Sequence, residues 1–266
     1  LPNIITTGIA DSVGATSVSW TAWTLQMFPL MGLGRAALVT AIIYRLYRPP
    51  TAASISVPTS YSRMTSTQRR MFGFLLVGVL IWITDGVHGL HPLFGALVVV
   101  LLALIPGIGV ASLDDLSDVD LSIIFFIGAV FAIGTGLSET GFAEAAANEL
   151  LTIIPTAAPL WLVLAIVYAI TTVLSFLIEG LAVASVLTPV LVSYAQNVGL
   201  SLDPVLMVES VALGTYFFPY QTVVLVAILG EGVVKAGDLI RTVVLTSVLS
   251  IVLLLPLQIG LFTLLY

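Results

Sequence analysis

Cysteine is absent, histidine is limited to His88 and His91, and charged residues make up only 8% of the chain. The missing thiols exclude a disulfide framework, a thiolate metal site and a cysteine nucleophile. Two histidines would leave a zinc site to draw most of its ligands from carboxylates, so hydrolytic metal chemistry is not expected. Fourteen Asp and Glu outnumber eight Lys and Arg, and the net charge of −6 removes the basic surface that a nucleic-acid binder needs. What fills the chain instead is apolar: 59% of 266 residues are hydrophobic and the mean hydropathy is +1.17. Soluble domains carry about 25% charged residues, so a water-soluble domain is excluded. The opening Leu1-Pro2-Asn3-Ile4-Ile5 lacks the basic region and cleavage site of a signal peptide. It reads as a fragment or processed piece, or else as an intact protein numbered from its second residue.

A hydrocarbon core of about 30 Å takes about 20 apolar residues per helix. Apolar runs place spans at 22–44, 72–84, 92–106 and 121–138. Two further runs, 159–178 and 181–197, are separated by Ile178-Glu179-Gly180, and 204–217 and 223–234 by Phe218-Pro219-Tyr220-Gln221-Thr222. The last span is 242–265. Asp203 and Pro204 read as the N-cap and first residue of their helix. Residues 139–153 set Glu and Asn among Ala and Leu, a pattern suited to a helix lying in the membrane interface.

Between the first two spans, 49–70 is a polar linker holding Pro49, Pro50, Pro58, Arg63, Arg69 and Arg70. The excess of basic residues places it in the cytoplasm. If 159–197 is a hairpin entering and leaving from the outer side, Lys235 and Arg241 also fall inside, as do seven of the eight Lys and Arg, with the C-terminus outside. Two full spans give the same sidedness, so a re-entrant hairpin rests on the break at Glu179-Gly180. The acidic run Asp114, Asp115, Asp118 and Asp120 reads as a solvated turn with helix-capping carboxylates.

Three places could carry function. Gly32-Leu33-Gly34-Arg35-Ala36-Ala37 spells a dinucleotide-binding turn, but no strand precedes it, and small residues there instead let helices approach closely. Arg35 lies inside an apolar run, where an ionised group costs about 3 kcal/mol or more unless paired or hydrated. It needs a partner or an exit, and attraction of an anion stands beside a structural role. At Glu179, a carboxylate between two apolar runs must face water, an ion or a cation, unless the segment is a surface turn. Thr171, Ser175 and Glu179 recur at intervals of four and are expected on one helix face, with Ser185 and Thr188 beyond.

Pro219 cannot donate a helical hydrogen bond, so the helix should unwind or kink there. Two interrupted segments in one apolar chain point to a transporter binding site. The half-helix N-termini near Leu181 and Val223 would then offer amides to an anion, while loose carbonyls and hydroxyls hold a small cation. A simple proline kink is the plainer alternative.

At these residues the chain resembles the divalent anion:sodium symporter family of dicarboxylate and sulfate permeases. The most specific tract is Trp82-Ile83-Thr84-Asp85-Gly86-Val87-His88-Gly89, followed by the glycine-rich Asp120–Gly128 and Gly134–Gly141 segments and by Gly230 to Arg241 with Lys235 and Asp238. The resemblance covers the second of two inverted repeats and the end of the first, with Leu1-Pro2-Asn3 similar to the remains of a Pro-Pro-Asn motif. The Ser-Asn-Thr tripeptide of the family's hairpin tip aligns on Glu179-Gly180-Leu181, a plain departure. The broken-helix motif aligns on Gln221-Thr222-Val223-Val224-Leu225 and keeps only Pro219 and Thr222.

The resemblance implies an all-α, polytopic membrane protein. It would be one inverted-repeat half of a secondary transporter, with a re-entrant helical hairpin and a broken helix. The expected divisions are 1–48 (end of the first repeat and its last transmembrane helix), 49–70 (cytoplasmic linker), 71–158 (scaffold and interfacial helix) and 159–266 (transport unit). The implied activity is secondary active transport, not catalysis: a small anion such as a dicarboxylate or sulfate crosses the inner (plasma) membrane with sodium or protons. Glu179, Gly180, Leu181, Pro219, Gln221, Thr222 and Asn3 are the expected solute- or ion-binding residues. Sodium is expected at Glu179 and Thr222, and Arg35 is the candidate for anion attraction. No resident cofactor is expected beyond the coupling ion. The partners expected are the small anion, the bilayer, the absent first repeat and a second copy in a homodimer, with no nucleic acid. An arsenite or other inorganic oxyanion permease is the alternative within transport, and a non-transporting scaffold or incomplete gene product is the alternative outside it.

Overall fold

Helix is the only regular structure among the described residues, as expected where lipid offers no hydrogen-bond partners to the backbone. The structure is a computed structural model, and it describes residues 2–15, 19–48, 63–90, 92–115, 122–154, 158–177 and 179–266. The helices are α1 (Pro2–Ser12), α2 (Trp20–Met27), α3 (Arg35–Leu46), α4 (Ser66–Ile83), α5 (Asp85–His88), α6 (Pro92–Leu104) and α7 (Ser122–Glu139). They continue as α8 (Phe142–Ile153), α9 (Leu160–Ser175), α10 (Gly180–Val198), α11 (Leu202–Leu213), α12 (Val223–Gly230), α13 (Ala236–Leu249) and α14 (Leu255–Leu265).

Two of the long spans are continuous through wide π-helical turns. Phe28–Gly34 joins α2 to α3 and Ser250–Leu254 joins α13 to α14. Each carries a proline where a regular helix would need a donor: Pro29 lies in the first turn and Pro256 just after the second. The two π segments pack on each other, and a Cβ on Gly34 would come within 3.1 Å of Leu254. Close approach of helices at this small residue is therefore observed. Among the described residues, three helices are long and apolar enough to cross a bilayer: Trp20–Leu46, Gly180–Val198 and Ala236–Leu265.

The chain forms two compact units. One comprises residues 1–18, 26–47 and 124–266. Its core is the packing of α11 on α9 and α10, with α1 laid across α10 and α11 and α8 against α10. The second unit, residues 19–25 and 48–123, is organised by α4 on α6. There Gly78 faces Val99 and Gly95 faces the Trp82 indole with no room for a Cβ on either glycine.

Several expected boundaries move. Helix α4 begins at Ser66 rather than 72, because Thr65 and Gln68 form a reciprocal capping box, so Arg69 and Arg70 are helical. Asp203 and Pro204 do not cap and start α11: Ser201 is the N-cap, and Asp203 sits in the first turn, where its charge still favours the helix dipole. The last span begins at Ala236, not 242. The Asp115 carboxylate accepts from the amide and hydroxyl of Ser112 at 2.7 and 3.0 Å, holding the exposed turn and pulling its own carboxyl below the usual range. Asp118 and Asp120 lie outside the described residues.

Candidate functional site

The α9–α10 turn and the gap between α11 and α12 are built against each other. Helix α9 ends at Ser175, so Thr171, Ser175 and Glu179 do not share one helix face. The Thr171 and Ser175 hydroxyls instead donate back to the Val167 and Thr171 carbonyls, both at 2.8 Å. Glu179 belongs to the next helix as the N-cap of α10, and Ile178 lies outside the described residues. Its Oε2 accepts from the Leu181 amide at 2.8 Å and the Ala182 amide at 3.4 Å. The amide expected to face an anion at Leu181 is thus taken by the chain's own carboxylate. Gly180 is buried, and a Cβ there would lie 3.6 Å from the Leu213 carbonyl oxygen and 3.7 Å from that of Gln221.

The second break is longer than its sequence suggests. Helix α11 stops at Leu213, not 217, and α12 runs from Val223 only to Gly230, not 234. Between them lie residues 214–222, with one 3₁₀ turn at Pro219–Gln221. Gln221 is the centre of this gap and is 1% exposed. Its Oε1 accepts from the Phe217 and Phe218 amides at 2.6 and 2.8 Å, and its Nε2 donates to the Ser175 carbonyl at 2.8 Å. One side chain thereby satisfies backbone groups freed at both interruptions. The Tyr220 hydroxyl adds a bond to the Phe176 carbonyl at 2.7 Å. Phe176 packs tilted against Phe217 and edge-on to Phe218, and Phe218 stacks on Tyr220.

Arg35 finds its partner at the end of α11. Nη1 donates to the Gly214 carbonyl at 3.0 Å, and Nη2 to the Val211 carbonyl at 3.3 Å and the Thr215 hydroxyl at 2.8 Å. The guanidinium meets the negative end of a helix dipole and satisfies its last carbonyls. Tyr168 donates to the same Thr215 hydroxyl at 3.1 Å. Tyr216 is close enough to both Arg35 and Glu179 to feel their charges, and Thr222 lies within reach of its phenol. Sequence reasoning did not single out Tyr216.

The structure brings Glu179, Gly180, Leu181, Pro219, Gln221 and Thr222 into one region. It does not bring Asn3 into hydrogen bonding with them: Asn3 opens α1, exposed, its carbonyl accepting from Thr6 and Thr7. Among the described residues no cluster of three metal-binding side chains occurs. Sequence reasoning also missed Glu209. It is fully buried in the middle of α11, with Oε1 accepting from Thr188 of α10 at 2.8 Å. The signal was present, since a carboxylate inside the 204–217 run is as costly as one at Glu179.

These features define a multi-spanning, all-α membrane protein whose helices are broken at two adjoining points. The model of the sodium:sulfate symporter transmembrane region matches residues 1–265. The chain belongs to that family, whose members are membrane transport proteins rather than enzymes. It is 24% identical over 265 residues to the L-tartrate/succinate antiporters of Shigella dysenteriae serotype 1 and Escherichia coli K12, covering 95% of this chain and 54% of each relative. The Shigella flexneri protein of the same description is 23% identical over the same length. The chain spans about half the length of these curated relatives.

Proposed function

We propose that this chain supplies one half of a secondary transporter for a small anion, such as a dicarboxylate or sulfate, driven by sodium or protons across the plasma membrane. The transported solute sits between the α10 N-terminus at Glu179-Gly180-Leu181 and the gap at Pro219 to Thr222. Sodium is held by Glu179 with Thr222, or Glu179 itself carries a proton. The α9–α10 pair acts as a re-entrant hairpin and moves with α11 and α12 against a scaffold of helices 72–138. The other half of the site comes from a first repeat, to which α1 and Asn3 belong. The linker 49–70 and Lys235 with Arg241 lie in the cytoplasm and the C-terminus outside.

The observation that carries this reading is the Gln221 bridge. Broken helices are tolerated at membrane depth only where their free backbone groups are satisfied by protein or by a water-filled site. Here two such breaks share one satisfying side chain. The tartrate/succinate exchange named for the relatives favours a dicarboxylate over an inorganic oxyanion.

The test is uptake by the full-length protein in proteoliposomes. Sulfate, succinate, tartrate, citrate and arsenite are offered under a sodium gradient, a pH gradient and with internal dicarboxylate. Accumulation of succinate or tartrate under one of these drives supports the reading, and none under any of them overturns it. E179Q uptake unchanged in both rate and pH dependence would remove Glu179 from coupling.

A further inference from the structure

Among the described residues, the Glu209 carboxyl is buried and makes no ion pair. It is 0% exposed, and Oε2 has no hydrogen-bond partner. Its other oxygen receives only the Thr188 hydroxyl. The elements packed on α11 are α1, α9 and α10, and their titratable side chains are Asp11, Tyr168 and Tyr194, none of them cationic. Arg35 approaches the end of α11, but its Nη atoms are spent on Gly214, Val211 and Thr215. Pro189, beside Thr188, keeps α10 from closing a regular backbone bond at this level. Glu179 is different, since two amides at a helix start compensate its charge.

An ionised carboxylate without a counter-charge is costly to take out of water, and a neutral acid avoids most of that cost. We propose that Glu209 and Thr188 form a proton-binding site between α10 and α11, in which Glu209 is held as the neutral acid while these helices are packed. The site is separate from the hairpin tip and does not depend on which solute is transported. Its ligand is the proton, and its consequence is that the packing of α11 in the first unit requires that proton.

The test compares wild type, E209Q and T188V of the full-length protein in detergent, by infrared spectroscopy and by thermal unfolding from mildly acidic to alkaline pH. In the wild type a carbonyl stretch of a neutral carboxylic acid is expected at neutral pH, and E209Q should lack it. Wild-type unfolding temperature should fall as the pH rises, because the acid is forced to ionise inside. E209Q mimics the neutral acid, so it should fold and lose that fall. T188V removes a donor that favours the charged form, so its fall should begin at the same pH and continue to a higher one. If E209Q does not fold, or shows the same fall with rising pH as wild type, the negative charge or another group is responsible and the proposal is wrong. It is equally wrong if the infrared band is missing from wild type, or if sodium in place of choline stabilises wild type but not E209Q, since a metal cation would then be the ligand. Failure of anion uptake would leave these readings unchanged and count only against the transport proposal.

Discussion

Gln221 donates from Nε2 to the Ser175 carbonyl across 46 positions of sequence, and this 2.8 Å bond joins the end of α9 to the gap after α11. Both ends of the bond are places where the helical ladder has stopped. The amide group suits the task because it offers an acceptor and a donor at once. Oε1 takes two backbone amides on its own strand of chain, and Nε2 reaches the other break.

Replacing Gln221 therefore uncouples the two interruptions. Q221L leaves two amides and one carbonyl without their partner, at about 1–3 kcal/mol for each buried group. We expect a loss of about 3 kcal/mol or more, read as a fall in unfolding temperature in detergent. Q221E keeps an acceptor for the Phe217 and Phe218 amides but turns an oxygen toward the Ser175 carbonyl, so it should also be destabilised. Wild-type stability in both variants would show that water replaces the bridge.

Arg35 should be needed for stability as well as for any effect on solute. R35M leaves the carbonyls of Val211 and Gly214 without their donors and removes a charge from a helix C-terminus, a loss of about 2 kcal/mol. R35K keeps the charge but not the fork, so it should fall between the two. Thermal unfolding of the three proteins orders them. A guanidinium that served only to attract an anion would leave unfolding unchanged and weaken solute binding alone.

The apolar runs and the two breaks were legible because each rests on local chemistry: hydropathy over a span, a proline without a donor, a carboxylate between apolar stretches. Boundaries set by distant partners were not. Pro219 marks the second break, but α11 ends at Leu213, well before the expected 217, where Arg35 of a far-off helix takes its last carbonyls. The role of Glu179 as a cap was hidden for a related reason. Glu is not a favoured N-cap, and only the turn geometry after Ser175 folds its carboxylate onto the Leu181 and Ala182 amides. Glu209 was overlooked by counting its run as apolar, although its charge is plain in the sequence.

Glu179 as a cap makes its own prediction, separate from coupling. E179A removes the acceptor for two amides and should cost about 1 kcal/mol. E179S should recover most of that, because serine caps helices well. Both are read by thermal unfolding. If E179A is as stable as wild type, other groups already cover the α10 N-terminus and the freed amides are not exposed to solute.

In the second unit, Asp85 governs acid sensitivity. Burial works against its ionised form, but hydrogen bonds from the Thr21 hydroxyl and amide, with help from the Trp20 and Gly86 amides, outweigh burial and hold the carboxyl below its usual range. A group depressed in the folded state contributes stability above its unfolded value, about 4 for Asp, and that contribution is lost as the pH falls through the folded value. Acidification should therefore loosen the start of α2 from the end of α4. Hydrogen-exchange protection at Thr21 and Trp82, measured against the intrinsic rate at each pH, should fall in wild type below about pH 4. T21V, which lacks the hydroxyl but keeps the amide, should already be looser at neutral pH and show a smaller further change on acidification. Equal acid responses in the two proteins would place the sensitivity on another carboxylate.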